Sequence, residues 1–391
     1  MKRKIVPLPK EQWKDCVVPI GYTSHAYYDV ELLQEEAGFT ASFRLKPMET
    51  PVVHTPEECD FADRLYADYW ENAFAWGVVE DGKLLAAIET CPEEWNNRLR
   101  VTELWVSEPL RCQGVGHALM ALAKEQARRE RRRAVVLETQ SCNVNAIGFY
   151  LHEGFSLIGF DACCYTNHDI ERREVRLEMG WLLERQKAYQ PDELTIRPET
   201  PDDYFEAEAM TRRAFWNKYQ LGCNEHLFLH KLRENADYLP QLSRIAVADG
   251  KIVGGIWYSR AVVRGEHGEQ PVLTFGPLCV DPDAQGRGVG ERLLRETLAL
   301  AKEAGYAGVV IYGEPTYYPR VGFKTCDHFG ITTPDEKNFP AFMAYELIPG
   351  ALKAGRFYES EVFADLPQEE LDVFDQQFPS MEKQHFPGQW S

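Results

Sequence analysis

The sequence is short of basic residues, has no long apolar run and carries no paired-cysteine motif. Lys and Arg number 43 against 61 Asp and Glu over 391 residues, a formal net charge of −18. So acidic a chain has little cationic surface to neutralise phosphates, which argues against nucleic acid as a partner; it suits a cationic acceptor such as an amine. No stretch is long and apolar enough to span a bilayer, so no membrane partner is expected. Met1-Lys2-Arg3-Lys4 is basic but no apolar segment follows it, so no secretory signal is expected and the protein reads as cytoplasmic. Ten cysteines include no Cys-x-x-Cys and read as reduced thiols. Cys163-Cys164 is expected on a strand, pointing to opposite faces. His226 and His230 have helical spacing, but Glu225 precedes them and no third ligand stands nearby, so no metal is expected.

What is present is a globular composition, 44% hydrophobic and 27% charged, with length enough for two domains. One stretch occurs twice. Glu103-Leu104-Trp105-Val106-Ser107 is a strand stopped by Pro109, then a polar loop Arg111-Cys112-Gln113-Gly114-Val115-Gly116, then His117 and a helix with Leu119, Leu122 and Ala123 on one face. Leu278-Cys279-Val280 is stopped by Pro282, followed by Gln285-Gly286-Arg287-Gly288-Val289-Gly290, then Glu291 and a helix with Leu293, Leu294 and Leu298. Gln285 and Val309 each lie about 174 positions beyond Arg111 and Val135, which marks an internal repeat. Glycines let the backbone adopt positive φ and approach a ligand. The first helical turn leaves N–H donors unpaired, and the dipole adds positive charge. Each loop is therefore read as a phosphate or pyrophosphate site. Neither completes the dinucleotide fingerprint, and neither carries the Gly-Lys-Ser/Thr of a P-loop.

Further along each copy stands a buried-strand run, Ala134–Glu138 or Gly308–Tyr312. Asn143-x-x-Ala146-x-x-Phe149-Tyr150-x-x-x-Gly154-Phe155 follows the first, and Tyr317-Tyr318-Pro319-Arg320-Val321-Gly322-Phe323 the second. Arg/Gln-x-x-Gly-x-Gly followed by this second signature, twice in order, resembles the GNAT (GCN5-related) N-acetyltransferases. The resemblance implies an α/β fold of two tandem GNAT domains, each a mixed, mostly antiparallel sheet flanked by helices. It implies acetyl-CoA as cosubstrate, no metal, and transfer to a small-molecule amine. Trp95-Asn96-Asn97-Arg98, Leu137-Glu138-Thr139-Gln140 and Tyr165-Thr166-Asn167 make the first half similar to the streptothricin acetyltransferases, which acetylate an amino group of a β-lysine-bearing antibiotic; antibiotic resistance is implied with it. The second half resembles predicted small-molecule acetyltransferases of the family. Expected boundaries are residues 1–185, a linker 186–193, and 194–391 with an extension from about 349.

The resemblance also assigns roles. Trp105, Val106, the loop Arg111, Cys112, Gln113, Gly114, Val115, Gly116 and His117, and Asn143 hold acetyl-CoA in the first copy. Cys279, Val280, Gln285, Gly286, Arg287, Gly288, Val289, Gly290 and Glu291 do so in the second. The N–H groups of Val106 and Val280 receive the oxyanion, and Tyr150 and Tyr318 protonate the leaving thiolate, with Tyr317 a rival to Tyr318. Glu103 is read as the base that makes the amine neutral, with Glu138 as rival; no base is named in the second copy. A non-catalytic acetyl-CoA-binding scaffold and a protein N-terminus acetyltransferase are the competing readings, and a monomeric pseudo-dimer and a homodimer are both open.

Locally, Asp81-Gly82 and Asp249-Gly250 between apolar runs predict two hairpins. Thr55-Pro56-Glu57 predicts the start of a helix carrying Phe61, Leu65, Tyr66 and Tyr69. Phe39–Lys46 reads as a half-buried strand. Pro315 and Pro319 predict that the Tyr318 helix is cut short.

Overall fold

The computed structural model describes residues 3–56, 63–184, 187–266, 268–364 and 366–389. The chain divides into two compact units, Met1–Arg185 and Gln186–Ser391.

The first unit contains β1 (Val6–Pro7), α1 (Lys10–Trp13), β2 (Tyr22–Glu35), β3 (Gly38–His54), β4 (Phe74–Glu80), β5 (Lys83–Glu93), β6 (Arg98–Val106), α2 (Val115–Arg129), β7 (Ala134–Gln140), α3 (Val144–His152), β8 (Ser156–Asp161), α4 (Asp169–Arg172) and β9 (Arg176–Leu182). Seven strands form one sheet in the order β1-β4-β5-β6-β7-β9-β8. The turn between β4 and β5 has Asp81 at φ 50° and Gly82 at φ 75°, the left-handed pair whose twist matches that of the flanking strands. Ala86, Ala87 and Ile88 of β5 and Leu119, Met120, Ala123 and Ala127 of α2 are fully buried. Their spacing puts one apolar face of the helix on the sheet.

The position of the site is set by β6 and β7. They are parallel and pair only over Arg98–Arg100 with Ala134–Val136. Beyond that both strands continue, β6 to Val106 beside β5 and β7 to Gln140 beside β9, without pairing to each other. The sheet therefore opens into a cleft between them.

The second unit repeats the plan with β10 (Thr195–Arg197), α5 (Tyr204–Phe215), α6 (Glu225–Glu234), β11 (Arg244–Ala248), β12 (Lys251–Gly265), β13 (Gly268–Val280), α7 (Val289–Glu303), β14 (Gly308–Tyr312), β15 (Lys324–Thr325), β16 (Ile331–Thr332), β17 (Phe342–Glu346), β18 (Gly355–Tyr358) and α8 (Gln368–Asp375). The Asp249-Gly250 turn has the same φ pair, 50° and 73°. Here β13 and β14 are the parallel neighbours, paired at Leu273 and Val309 alone. β18 adds to the outer end of β12 and also pairs with β16. Both units thus have the mixed, largely antiparallel sheet with packed helices.

Three local expectations fail. The helix read from Thr55 lies partly outside the described residues; over Asp63–Tyr69 the chain forms turns and a single bridge, Arg64 to Val17, and no helix. There Leu65 donates its N–H to Cys16 and accepts from Asp15, so its backbone bonds the N-terminal segment rather than a helix. Phe39–Lys46 is a strand, but β2 and β3 form a two-stranded sheet of their own, and Phe39 is 85% exposed. Cys163 and Cys164 sit exposed in the bend after β8, not on a strand. His226 and His230, at the predicted helical spacing, bond Asp375 and Glu208.

Candidate active site

Each loop is built the same way. Gly114 and Gly288 precede α2 and α7 at φ 79° and 85°, a conformation open to glycine at little cost. A side chain at either would meet nothing within 4 Å; the requirement is conformational. The second glycines are held by contact. A Cβ on Gly116 would lie 3.4 Å from the Phe149 ring and 3.8 Å from a Val106 methyl, and one on Gly290 would lie 2.8 Å from the Tyr317 hydroxyl and 3.4 Å from a Val280 methyl. No described hydrogen bond engages the N–H groups of Val115, Gly116 and His117, or of Val289, Gly290 and Glu291. These donors and the dipole behind them form an anion cradle, which fits the pyrophosphate of a coenzyme A thioester.

The strand before each loop aims one further donor. Ser107 donates to Leu85 at 2.9 Å and Asp281 to Val253 at 3.0 Å. Backbone groups alternate edges along a strand, so the N–H and C=O of Val106 and Val280 face the opposite edge, where β7 and β14 have diverged. Arg111 Nε reaches the Val106 carbonyl at 3.1 Å, and Gln285 Nε2 the Val280 carbonyl at 3.3 Å. The carbonyls are tethered, and by the same alternation the N–H groups of Val106 and Val280 face the clefts.

Tyr150 lies on α3 and is 9% exposed. Burial, with the nearby Glu103 carboxyl, pushes its phenol up to about 12. No described hydrogen bond uses its hydroxyl. In the second unit the corresponding turn is a short 3-10 segment, Tyr318–Val321, as the prolines predicted. Phe149 rests on Gly116 as Tyr317 rests on Gly290, so Tyr317 takes the place of Phe149 and leaves Tyr318 as counterpart of Tyr150. The Tyr318 ring packs against Gly313, where a Cβ would come within 2.3 Å, and burial pushes its phenol up.

Glu103 lies on β6 across the ladder from Glu89. Burial, then the like charges of Asp63, Glu89 and Glu138, push its carboxyl up to about 9. Among the described residues it has no hydrogen-bond or ion-pair partner. Its rival Glu138 is bonded to Arg176 at 2.6 Å. Glu89 is fully buried and accepts from Tyr66 N–H and from Thr102 Oγ1. Sequence reading missed the gathering of Asp63 and Glu89 around Glu103, because only the β5–β6 register brings Glu89 there.

The remaining predicted residues are placed as follows. The Trp105 side chain packs in the core with Leu8 and Ala87, and Cys279 is buried against Thr211 and Met210; only their backbones border the clefts. Asn143 accepts from Ala146 N–H as the N-cap of α3, which leaves its amide NH2 for a ligand. His117 bonds Glu153 at 2.8 Å, Gln113 reaches Pro109 O at 2.6 Å and Glu291 pairs with Arg295 at 2.8 Å. Cys112 is exposed at φ 59°, and Gly286 has φ 78°. Arg287 turns away to stack on Tyr189 and to donate to Lys187 O at 3.0 Å.

Comparison with known proteins agrees with this geometry. The model of the acetyltransferase (GNAT) family matches residues 42–155, and that of the acetyltransferase (GNAT) domain matches 241–325. The uncharacterized N-acetyltransferase YjhQ of Escherichia coli is 40% identical over 24% of this chain, which spans about half, 52%, of that relative. YhbS of E. coli, also an uncharacterized N-acetyltransferase, is 32% identical over 41% of this chain and 90% of its own length. Its solved structure, in complex with CoA, aligns with TM-score 0.39 and 30% identity over 44% of this chain and 92% of that one. A streptothricin acetyltransferase of E. coli is 31% identical over 28% of this chain and 63% of its own. No helix among the described residues is long and apolar enough to cross a membrane. The chain belongs to the GNAT acetyltransferase family, acyltransferases that draw their acetyl group from acetyl-CoA, and it carries the family's domain twice.

Proposed function

We propose that the first domain acetylates a primary amine of a small cationic molecule by direct attack on acetyl-CoA. The observation that carries this reading is Glu103: an unpaired carboxyl in the cleft, near Tyr150, with its proton affinity raised to about 9. An alkylammonium titrates at about 10.4. Passing its proton to a group at about 9 costs about 2 kcal/mol, against about 8 kcal/mol for an ordinary carboxylate, at 1.36 kcal/mol per unit. Glu103 thus takes the amine proton directly or through one water. The nitrogen attacks the thioester carbonyl, the Val106 N–H receives the oxygen, and the C–S bond breaks as Tyr150 gives its proton to sulfur. Tyr150, held neutral at physiological pH, has that proton to give.

The carboxyls of Asp63, Glu89 and Glu138 gather around Glu103, which favours an acceptor with more than one positive charge. A relative named streptothricin acetyltransferase supports an antibiotic of that kind. The domain limits 1–185 and 194–391, joined by 186–193, are part of the same reading, as is a cytoplasmic location. The test is CoA release with streptothricin, spermidine and lysine set against N-terminal peptides. Polycationic amines are expected to turn over and peptides not; the reverse would replace the small-molecule reading with the protein N-terminus one.

One observation sets the second domain apart: the two strand acids of the first cleft have no counterpart in it. Leu273 and Val309 stand in the second copy where Leu99 and Val135 pair in the first, and by the same register Pro277 and Tyr312 replace Glu103 and Glu138.

A further inference from the structure

The residues after β18 belong to the C-terminal extension, outside the repeated plan, and they cross the mouth of the second cleft. The crossing is fixed at both ends. β18 pairs with β12 through Arg264–Arg356, Val263–Phe357 and Val262–Tyr358. Phe357 is 1% exposed, with its ring 6.1 Å from that of Tyr312. Six residues later Phe363 packs on Phe228 at 4.7 Å and lies over Gly276, where a Cβ would meet its ring at 3.1 Å. Tyr312 and Gly276 each lie three residues beyond the last paired positions, Val309 and Leu273. They are the two lips of the opening, and residues 357–363 bridge them.

Glu359 lies in that bridge, two residues past Phe357 on an extended backbone, and so on the same face. Its negative charge is felt by the Tyr312 phenol. Among the described residues it makes no hydrogen bond and no ion pair. It is exposed, and desolvation by the protein around it pushes its carboxyl up to about 7. The titratable groups around Tyr312 are few. Burial pushes the Cys326 thiol up, and Asp335, bonded by Lys337 and Thr333, is held down at about 2. Below the lips Tyr318 packs on Phe275 and Gly313.

We propose that Glu359 is the general base of a second working acetyltransferase site, supplied by the C-terminal segment where the strand carboxylates are missing. This rests on the reading that each Gly-rich loop holds acetyl-CoA. The amine nitrogen bonds to the acetyl carbon, the C–S bond breaks, Glu359 takes the N–H proton and Tyr318 protonates the thiolate; the products are the amide and CoA. The wall differs from that of the first cleft. Tyr312 stacks with Phe339 and Phe342 at 6.0 and 4.9 Å, and Tyr312 and Phe339 are 44% and 42% exposed. Aromatic rings beside one carboxylate suit a monocationic arylalkylamine rather than a polycation.

The experiment uses the full chain with Gly114→Glu, which disables the first loop, and follows CoA release from acetyl-CoA with tyramine and with spermidine across pH 5–9 (about the span in which such groups titrate). The proposal predicts turnover with tyramine that rises through pH ~7. Adding Glu359→Gln is expected to lower it at least a hundredfold and abolish that rise, with acetyl-CoA affinity by calorimetry unchanged; Glu359→Asp is expected to keep the rise. Full activity in the Gln variant overturns the role of Glu359. Retained acetyl-CoA binding without CoA release above the uncatalysed rate overturns the second site as an enzyme. Loss of acetyl-CoA binding itself places the failure in the loop reading instead. Unchanged affinity in the Gln variant also shows that it is folded.

Discussion

Arg111 Nε donates to the Val106 carbonyl at 3.1 Å, and Gln285 repeats the bond to Val280 at 3.3 Å in the second unit. Two different side chains of similar reach hold the same strand end, so the chain contains its own control. Arg111→Gln is expected to leave kcat/KM of the first site within about twofold. Arg111→Ala is expected to lower it roughly tenfold, the worth of one hydrogen bond of about 1.4 kcal/mol. Steady-state kinetics with spermidine checks both; equal loss in the two variants would mean that charge, not the tether, matters.

Glu103→Gln is expected to reduce first-site turnover by about 10²–10⁴, the range for a positioned base. In the wild type kcat/KM rises with pH toward about 9, where Glu103 loses its proton; the Gln variant loses that slope. A rate still climbing to pH 9 in the variant would assign the base elsewhere.

The same substitution is expected to raise stability. The folded-state affinity of Glu103 is raised from 4.5 to about 9, so between those values the folded chain holds a proton that the unfolded chain releases. Its contribution is fully present below pH 4.5 and is lost as pH rises toward 9. Gln carries no such dependence. Melting curves should show the variant's Tm gain growing from pH 5 to pH 9; a gain that shrinks with pH would contradict the burial argument.

Tyr150→Phe removes the hydroxyl proposed to protonate the thiolate but keeps the ring that packs against Phe149 and Phe155 at 5.6 and 6.1 Å. Acetyl-CoA affinity is expected to hold while turnover falls roughly a hundredfold. An unchanged rate would assign protonation of the thiolate to water.

The parts of the fold that the sequence reveals are those where one residue type is required. The Asp81-Gly82 and Asp249-Gly250 turns need positive φ at both positions, and Gly114 and Gly288 need it before a helix; each was legible for that reason. Pro319 cut the Tyr318 helix as its missing N–H requires. What failed depended on tertiary pairing. Leu65 and Tyr66 keep a helical spacing, yet their backbone and buried side chains bind the N-terminal segment and Glu89. The β2–β3 alternation was real, but it is covered only in part: Val30 and Phe43 pack with Ile147 and Leu177, while Phe39 is 85% exposed. Tyr317 and Tyr318 could not be told apart until Gly290 and Gly313 showed which ring rests where. Glu359 had no motif at all; its meaning comes only from the strand that carries it past Tyr312.

The most direct measurement is a calorimetric titration of the full chain with acetyl-CoA, read for stoichiometry. Two loops of one geometry predict two sites per chain, falling to one in Gly114→Glu and to one in Gly288→Glu. A single site in the unmodified chain, removed by one substitution and indifferent to the other, would contradict the claim that both repeats hold the cosubstrate.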